Sequence, residues 1–327
     1  MSGGAFNLLA VGQGGRLQAE ALLLVASLRR ASPRFPGRVV IAEPQSGPLW
    51  PKDPRMGAEA RAMLGEMGAE VVPFESRHFG ASYPYGNKVE ALALLPAGEP
   101  FLFLDTDTLV LSDLGAVPVA AAPPSASMRR EDTWPVEQPY LGADAVWRAL
   151  YGRFGLDYAS SLDAARAPWD WRRHLYFNAG WFCGPDPRAF GDLFLSTALA
   201  IRDDPPDALA SQSLDPWLDQ VALPLVVHAL GGGRPGPGLA GLDGEATCHY
   251  RALPLLYARE SDHAVEVLEE VAGRNRLKKL LRDHEPMRRL VYQGEGRRAR
   301  ALFDRGDLPP TEKAIRQRLK AEGLWLR

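Results

Sequence analysis

One stretch limits the folds open to this chain more than any other. Phe101-Leu102-Phe103-Leu104 runs straight into Asp105-Thr106-Asp107-Thr108, and Leu109-Val110-Leu111 follows at once. Four large apolar residues in succession, with no polar alternation, mark a strand buried on both faces. Such strands lie inside a parallel sheet covered by helices on each side. The polar tetrapeptide falls where the strand leaves the sheet, and α/β sheets bind ligands at the carboxyl ends of their strands. Carboxylates squeezed between two apolar runs need a partner to offset their desolvation.

The rest of the pattern fits that architecture. It predicts strands over 6–11, 38–42 and 70–73, and helices over 17–30, 58–69 and 87–95, the last ended by Pro96-Ala97-Gly98. Strand–helix alternation of this kind gives an α/β fold with a parallel-type sheet and helices on both faces. A strand is expected to resume over 175–182, an apolar stretch spans 221–230, and 231–238, GGGRPGPG, reads as a flexible loop. Residues 121–175 are rich in Pro, Trp and Tyr and read as an excursion from the sheet that walls a pocket. Trp134, Tyr140, Trp147, Tyr151, Trp169 and Trp171 either stack on the rings of a ligand or form a small apolar subcore.

Composition narrows the class. Apolar residues make up 46% of the 327 and charged residues 24%, which excludes disorder, collagen and coiled coil as whole-chain descriptions. Two cysteines, Cys183 and Cys248, argue against a disulfide scaffold and make no CxxC-type zinc site. The first residues carry no basic n-region, and no stretch reaches 18 apolar residues. The expectation is a cytoplasmic protein. The net charge of −2 conceals a division: residues 271–327 hold 16 Lys+Arg against 7 Asp+Glu, leaving 22 against 33 in residues 1–270. The chain therefore reads as a body, 1–270, and a basic helical extension, 271–327. Two readings of the extension compete: a solvated helical face packed on the body, or a peripheral contact with the inner face of a membrane, where each basic residue gains about 1 kcal/mol. Nucleic acid is not expected, because no aromatic-basic motif accompanies the charge.

The chemistry concentrates on Asp105 and Asp107. Carboxylates at i and i+2 leave an extended strand on one face and can grip one ion if the chain turns. Their oxygens suit Mg²⁺ or Mn²⁺, ions commonly shared with substrate phosphates. A solvated strand end is the plain alternative. A phosphatase of the haloacid-dehalogenase type also places an aspartate nucleophile after a strand, in D-x-D-x-T. Here Thr108 comes one position early and the motif lies a third of the way along. The turn Gly12-Gln13-Gly14-Gly15 after the first strand is neither G-x-G-x-x-G nor a P-loop, so dinucleotide and ATPase readings gain nothing from it.

Four motifs in order, with a fifth behind them, resemble the metal-dependent GT-A glycosyltransferases, most closely family 8. They are Asn87-Lys88, Phe101 to Leu109, Tyr176-Phe177-Asn178-Ala179-Gly180, Leu218-Asp219-Gln220, and His249 in Cys248-His249-Tyr250. The resemblance spans roughly residues 5–255. It implies a GT-A-like fold and transfer of a hexose-type sugar from a nucleotide-diphosphate donor, UDP-linked by expectation, to a carbohydrate or lipid-linked acceptor, with Mn²⁺ or Mg²⁺. On that footing Asp105, Asp107 and His249 hold the metal, and Lys88 brings an ammonium to the donor. Asn87 and Thr106 belong to the donor site, and Asn178 and Gly180 shape the sugar pocket. Asp219 and Gln220 sit at the reacting carbon, and Gly12, Gln13 and Gly14 lie against the nucleotide. The family's late histidine is followed by a Gly- and Lys-containing segment; here Arg251-Ala252-Leu253-Pro254 follows, with Arg251 in the lysine's place and retention or inversion left open. A catalytically inactive nucleotide-sugar-binding module on the same fold is the non-enzymatic alternative. Each of these residues also has a plain role open to it: a surface lysine, a turn asparagine, a helix-capping aspartate, a packed histidine.

Overall fold

The structure, a computed structural model, describes residues 4–129, 134–136 and 141–326. In chain order the elements are β1 (Asn7–Val11), α1 (Arg16–Ala31), β2 (Val39–Pro44), α2 (Ala58–Glu66), β3 (Glu70–Phe74), α3 (Asn87–Glu90), β4 (Phe101–Leu104), β5 (Thr108–Val110) and β6 (Ser125–Ser127). There follow α4 (Ala143–Arg153), α5 (Tyr158–Ser161), β7 (Asn178–Gly184), α6 (Pro187–Asp203), α7 (Leu218–Ala229), β8 (Thr247–His249), α8 (Leu253–Arg259), α9 (Asp262–Ala272), α10 (Asn275–Leu281), α11 (Glu295–Ala301) and α12 (Glu312–Ala321).

Six strands form one sheet in the order β3-β2-β1-β4-β7-β6, and β5 pairs with β8 in a separate two-stranded ribbon. β3, β2, β1 and β4 run parallel, while β7 is antiparallel to both its neighbours. This is the mixed α/β sheet flanked by helices expected of a GT-A fold. β4 sits inside it, as its unbroken apolar run predicts, and all four of its residues are buried. Each such Leu or Phe contributes about 1.5–3 kcal/mol on burial. Strand order reverses between β1 and β4, because β2 lies on one side of β1 and β4 on the other. That switch point opens a crevice beyond the strands' carboxyl ends.

The helices pack on both faces. α1 repeats its apolar residues at helical spacing and ends in Arg29 and Arg30, which suit the negative end of the helix dipole. Arg29 also donates to the carbonyls of Met67 (2.7 Å) and Gly68 (2.8 Å), closing the end of α2. Three expectations are corrected. The strand forecast over 175–182 starts at Asn178, because pairing with β6 begins there and pairing with β4 only at Trp181. The stretch 121–175 is not wholly an excursion, since Ser125–Ser127 joins the sheet as its edge strand β6. Its described aromatics do not line the cavity at that crevice: Trp134, Trp147 and Tyr151 are buried as an apolar subcore, with Trp134 edge-on to Trp147 at 5.4 Å, and Trp169 is 85% exposed. Tyr140 lies outside the described residues. Among the described residues no helix is long and apolar enough to cross a membrane.

Candidate active site

The crevice holds a cavity of about 350 Å³, walled by the ends of β1 and β4, the start of α3, the approach to β7, the first turn of α7, the segment after β8, and residues from α12 onward. Hydrogen bonding brings Asp105, Asp107 and His249 together. Asp105 N–H donates to the Gly180 carbonyl (2.8 Å), which ties the end of β4 to β7. The β5–β8 register sets Thr108 opposite His249, and Tyr250 N–H donates to the Asp107 carbonyl (2.9 Å). The imidazole thereby reaches back over the carboxylate pair. His249 Nε2 lies 3.1 Å from Asp107 Oδ1 and 4.0 Å from Asp105 Oδ2. One ligand atom from each of the three residues falls within 4.8 Å of the others. Donors bonded at about 2.1 Å to one small divalent cation lie roughly 3–4 Å apart, so this oxygen-rich set fits Mg²⁺ or Mn²⁺.

The two aspartates sit in different fields. Burial, with the Asp107 charge beside it, pushes the Asp105 carboxyl up despite Lys88. Burial acts on Asp107 too, but His249, Arg16 and Arg251 outweigh it and hold that carboxyl well below the usual range. Asp107 is thus the more firmly ionised of the pair.

Lys88 is 6% exposed, and its Nζ lies 2.9 Å from Asp105 Oδ1, 3.3 Å from Asp219 Oδ2 and 3.0 Å from the Ala179 carbonyl. Burial alone would discharge it, but the two carboxylates prevail and raise its pKa. Asp219 is 2% exposed and has both oxygens engaged, Oδ2 by Lys88 and Oδ1 by the Tyr83 hydroxyl (2.9 Å). Gln220 accepts a hydrogen bond from the Tyr176 hydroxyl (2.9 Å), which leaves its NH₂ group to offer.

Two amides are left wanting. Asn87 accepts from Ser76 at 2.8 Å through Oδ1, but its buried Nδ2 has no partner among the described residues, and neither has Gln13 Nε2. Both side chains line the cavity. A buried donor without an acceptor costs about 1–3 kcal/mol, which a ligand rich in oxygens would repay.

Other expected residues fall differently. Gly12 and Gly14 do not line the cavity. Their N–H groups donate to the carbonyls of Ala42 (2.9 Å) and Pro54 (2.9 Å), so they are not free for a nucleotide. A Cβ on Gly12 would meet Ile41 at 2.6 Å, and one on Gly14 the Arg55 carbonyl at 2.8 Å. Both glycines serve close packing. Gly180 likewise makes room for protein: a Cβ there would lie 2.1 Å from His249 Nδ1. Asn178 lines the cavity, yet its Oδ1 accepts from Gly180 N–H at 2.8 Å and shapes the turn. Thr106 also lines it, with its hydroxyl donated to Glu20 at 3.2 Å. Arg251 lines the cavity in a left-handed conformation (φ 64°), which costs a non-glycine residue about 1–2 kcal/mol.

Several residues had gone unnoticed. Arg16 lines the cavity, 2.6 Å from Glu20 and 3.8 Å from Asp107. Burial, reinforced by the Asp107 charge, pushes the Glu20 carboxyl up. Their i, i+4 spacing was the available signal, but it looks like any exposed helix pair. Tyr85, Tyr176 and Trp217 supply the aromatic wall that had been assigned to residues 121–175, and Arg316 and Trp325 reach the cavity from the basic extension.

Comparison with known proteins gives a family and distant likenesses. A family model, the Rhodobacterales glycosyltransferase domain, matches residues 8–231. No curated protein matches the sequence. Among solved structures, the galactosyltransferase LgtC in complex with donor and acceptor sugar analogues is 15% identical, with 82% of this chain and 95% of that one covered and a TM-score of 0.47. Mouse xyloside xylosyltransferase 1 in its apo form is 12% identical, with 71% and 84% covered and a TM-score of 0.38.

Proposed function

Because the chain belongs to the Rhodobacterales glycosyltransferase domain family, and so is a glycosyltransferase, we propose that it moves a hexose-type sugar from a nucleoside-diphosphate donor to a carbohydrate hydroxyl, aided by a divalent cation at Asp105, Asp107 and His249. The carrying observation is the convergence of those three side chains in a cavity that also presents the unpartnered amides of Gln13 and Asn87. Family membership leaves no ground for the phosphatase reading. UDP-sugars are the first donors to try, with Mn²⁺ or Mg²⁺ as the metal.

When bound, the cation would neutralise charge growing on the departing diphosphate. The chain's own groups do the rest. Lys88, kept charged by Asp105 and Asp219, sets an ammonium beside the metal ligands. Gln13 and Asn87 donate to donor oxygens. Gln220, oriented by Tyr176, offers its NH₂ to the sugar. Asp219 positions Lys88, and no covalent role is assigned to it. Tyr85, 46% exposed at the cavity, and Trp217 present ring faces on which an acceptor sugar can stack.

The test is a thermal-shift panel of UDP-, GDP- and CMP-sugars with and without Mn²⁺. A stabilisation by one diphosphate donor that needs the metal and disappears in Asp105→Ala is expected. No metal-dependent shift with any donor would overturn the proposal.

A further inference from the structure

The wall formed by the last helix takes part in no role assigned above. α12 begins where the Thr311 hydroxyl accepts from Ala314 N–H, and it buries Glu312, Ile315 and Leu319 on one face. Arg316, one turn after Glu312, lines the cavity and pairs with the Glu312 carboxylate. That same carboxylate lies 3.6 Å from Arg251 Nε and 3.0 Å from Arg259 Nη1, and Glu312 is only 7% exposed. Three guanidinium groups thus share one buried carboxylate, and two of them, Arg251 and Arg316, also face the cavity. Arg316 Nε is buried without an acceptor among the described residues. Trp325 lies beneath the Arg316 guanidinium, its ring centre 5.4 Å from Cζ.

The charge on the cavity wall points the same way. Among the described lining residues Arg16, Lys88, Arg251 and Arg316 face Asp105, Asp107 and Asp219. With Glu312, which holds Arg251 and Arg316, these charges match four against four; a divalent cation at the aspartates would then leave two positive charges, and a doubly charged diphosphate is the chemistry that balances them. A planar guanidinium matches two phosphate oxygens at once.

We propose that Arg316 binds the donor diphosphate together with Arg251, that Glu312 and Trp325 position it, and that the basic extension thereby completes the donor site. This assignment rests on the donor reading above. It also lies outside the region matched by the family model, which ends at residue 231.

Calorimetry tests it with Mn²⁺ alone, Mn²⁺ with inorganic pyrophosphate, and Mn²⁺ with UDP, GDP, ADP and CDP in turn. Wild type, Arg316→Ala, Arg316→Lys and Trp325→Phe are compared, with melting curves to confirm folding. Arg316→Ala is expected to weaken pyrophosphate and the bound nucleoside diphosphate tenfold or more while leaving Mn²⁺ affinity unchanged. Arg316→Lys, which keeps the charge and the helix, should restore only part of the loss, and Trp325→Phe should fall between. Diphosphate affinities within twofold of wild type in both Arg316 variants overturn the assignment and leave the donor reading standing. A wild type that binds no nucleoside diphosphate with Mn²⁺ overturns both.

Discussion

Gly180 lacks a side chain because His249 occupies the space, and that one contact links the turn before Trp181 to the Asp105–Asp107–His249 cluster. Gly180→Ala should displace the imidazole and weaken Mn²⁺ binding at least about tenfold, in the range seen when a ligand loses its support. Titration of Mn²⁺, with circular dichroism as the control for folding, checks this. Lys88→Met should do more. It leaves Asp219 buried with one oxygen unpaired, and stripping one partner from a buried pair costs about 3 kcal/mol or more. Urea unfolding measures the loss, and transfer activity should vanish with it. Asp105 and Asp107 were legible as a candidate site because ionised groups between apolar runs demand an explanation. The protein contacts of Gly12, Gly14 and Gly180 were not legible, because a sequence cannot say what fills the space beside a glycine. Glu20 was missed because nothing in Arg16-x-x-x-Glu20 tells a buried pair from a solvated one.

At the scale of elements, β4 was plain from its unbroken apolar run and α1 from its helical spacing. β6 was hidden. Ser-Ala-Ser is short and hydroxyl-rich, and only pairing with β7 makes it a strand. β8 was equally faint, yet its three residues deliver the histidine, so the decisive pairing, Thr108 with His249, is a long-range register no local pattern encodes. The junction of β6 and α8 makes a prediction of its own. Glu260 accepts from Arg129 (2.5 Å and 3.2 Å) and from Arg259 (3.0 Å). Burial would raise its pKa, but the two guanidinium groups outweigh burial and lower it. A carboxyl more acidic in the folded chain contributes stability above its ordinary value of 4.5 and loses it as pH falls through the depressed one. Melting temperature should therefore drop on acidification below about 4.5, and Glu260→Gln should lower stability at neutral pH while flattening that acid limb. An unchanged limb in the variant would place the acid sensitivity elsewhere.

Over the whole molecule, part of the charge division between body and extension is matched internally. Arg276 meets Glu66, Arg297 meets Glu269, and Arg300 and Arg305 meet Asp262. Exposed pairs of this kind each contribute at most about 1 kcal/mol, so apolar burial does the holding. Leu277, Leu281, Met287, Leu290, Ile315, Leu319 and Leu324 are buried in the same core as α1 and β1. A chain ended at residue 270 should therefore lose its cooperative melting transition, and a sharp transition in that fragment would contradict this. The basic composition was readable and these pairings were not, because charge alone does not say which acidic neighbours on the same chain a basic residue will meet. The claim that unites body, ribbon and extension is metal-assisted departure of a nucleoside diphosphate from a sugar. The most direct measurement is release of nucleoside diphosphate from a panel of UDP-, GDP- and ADP-sugars with Mn²⁺ and mixed carbohydrate acceptors, for wild type, Asp107→Asn and His249→Ala. The account predicts release from one donor class that EDTA abolishes and both substitutions reduce at least a hundredfold, as loss of charge stabilisation at the leaving group requires. Release from no donor, or equal release by wild type and both variants, would contradict it.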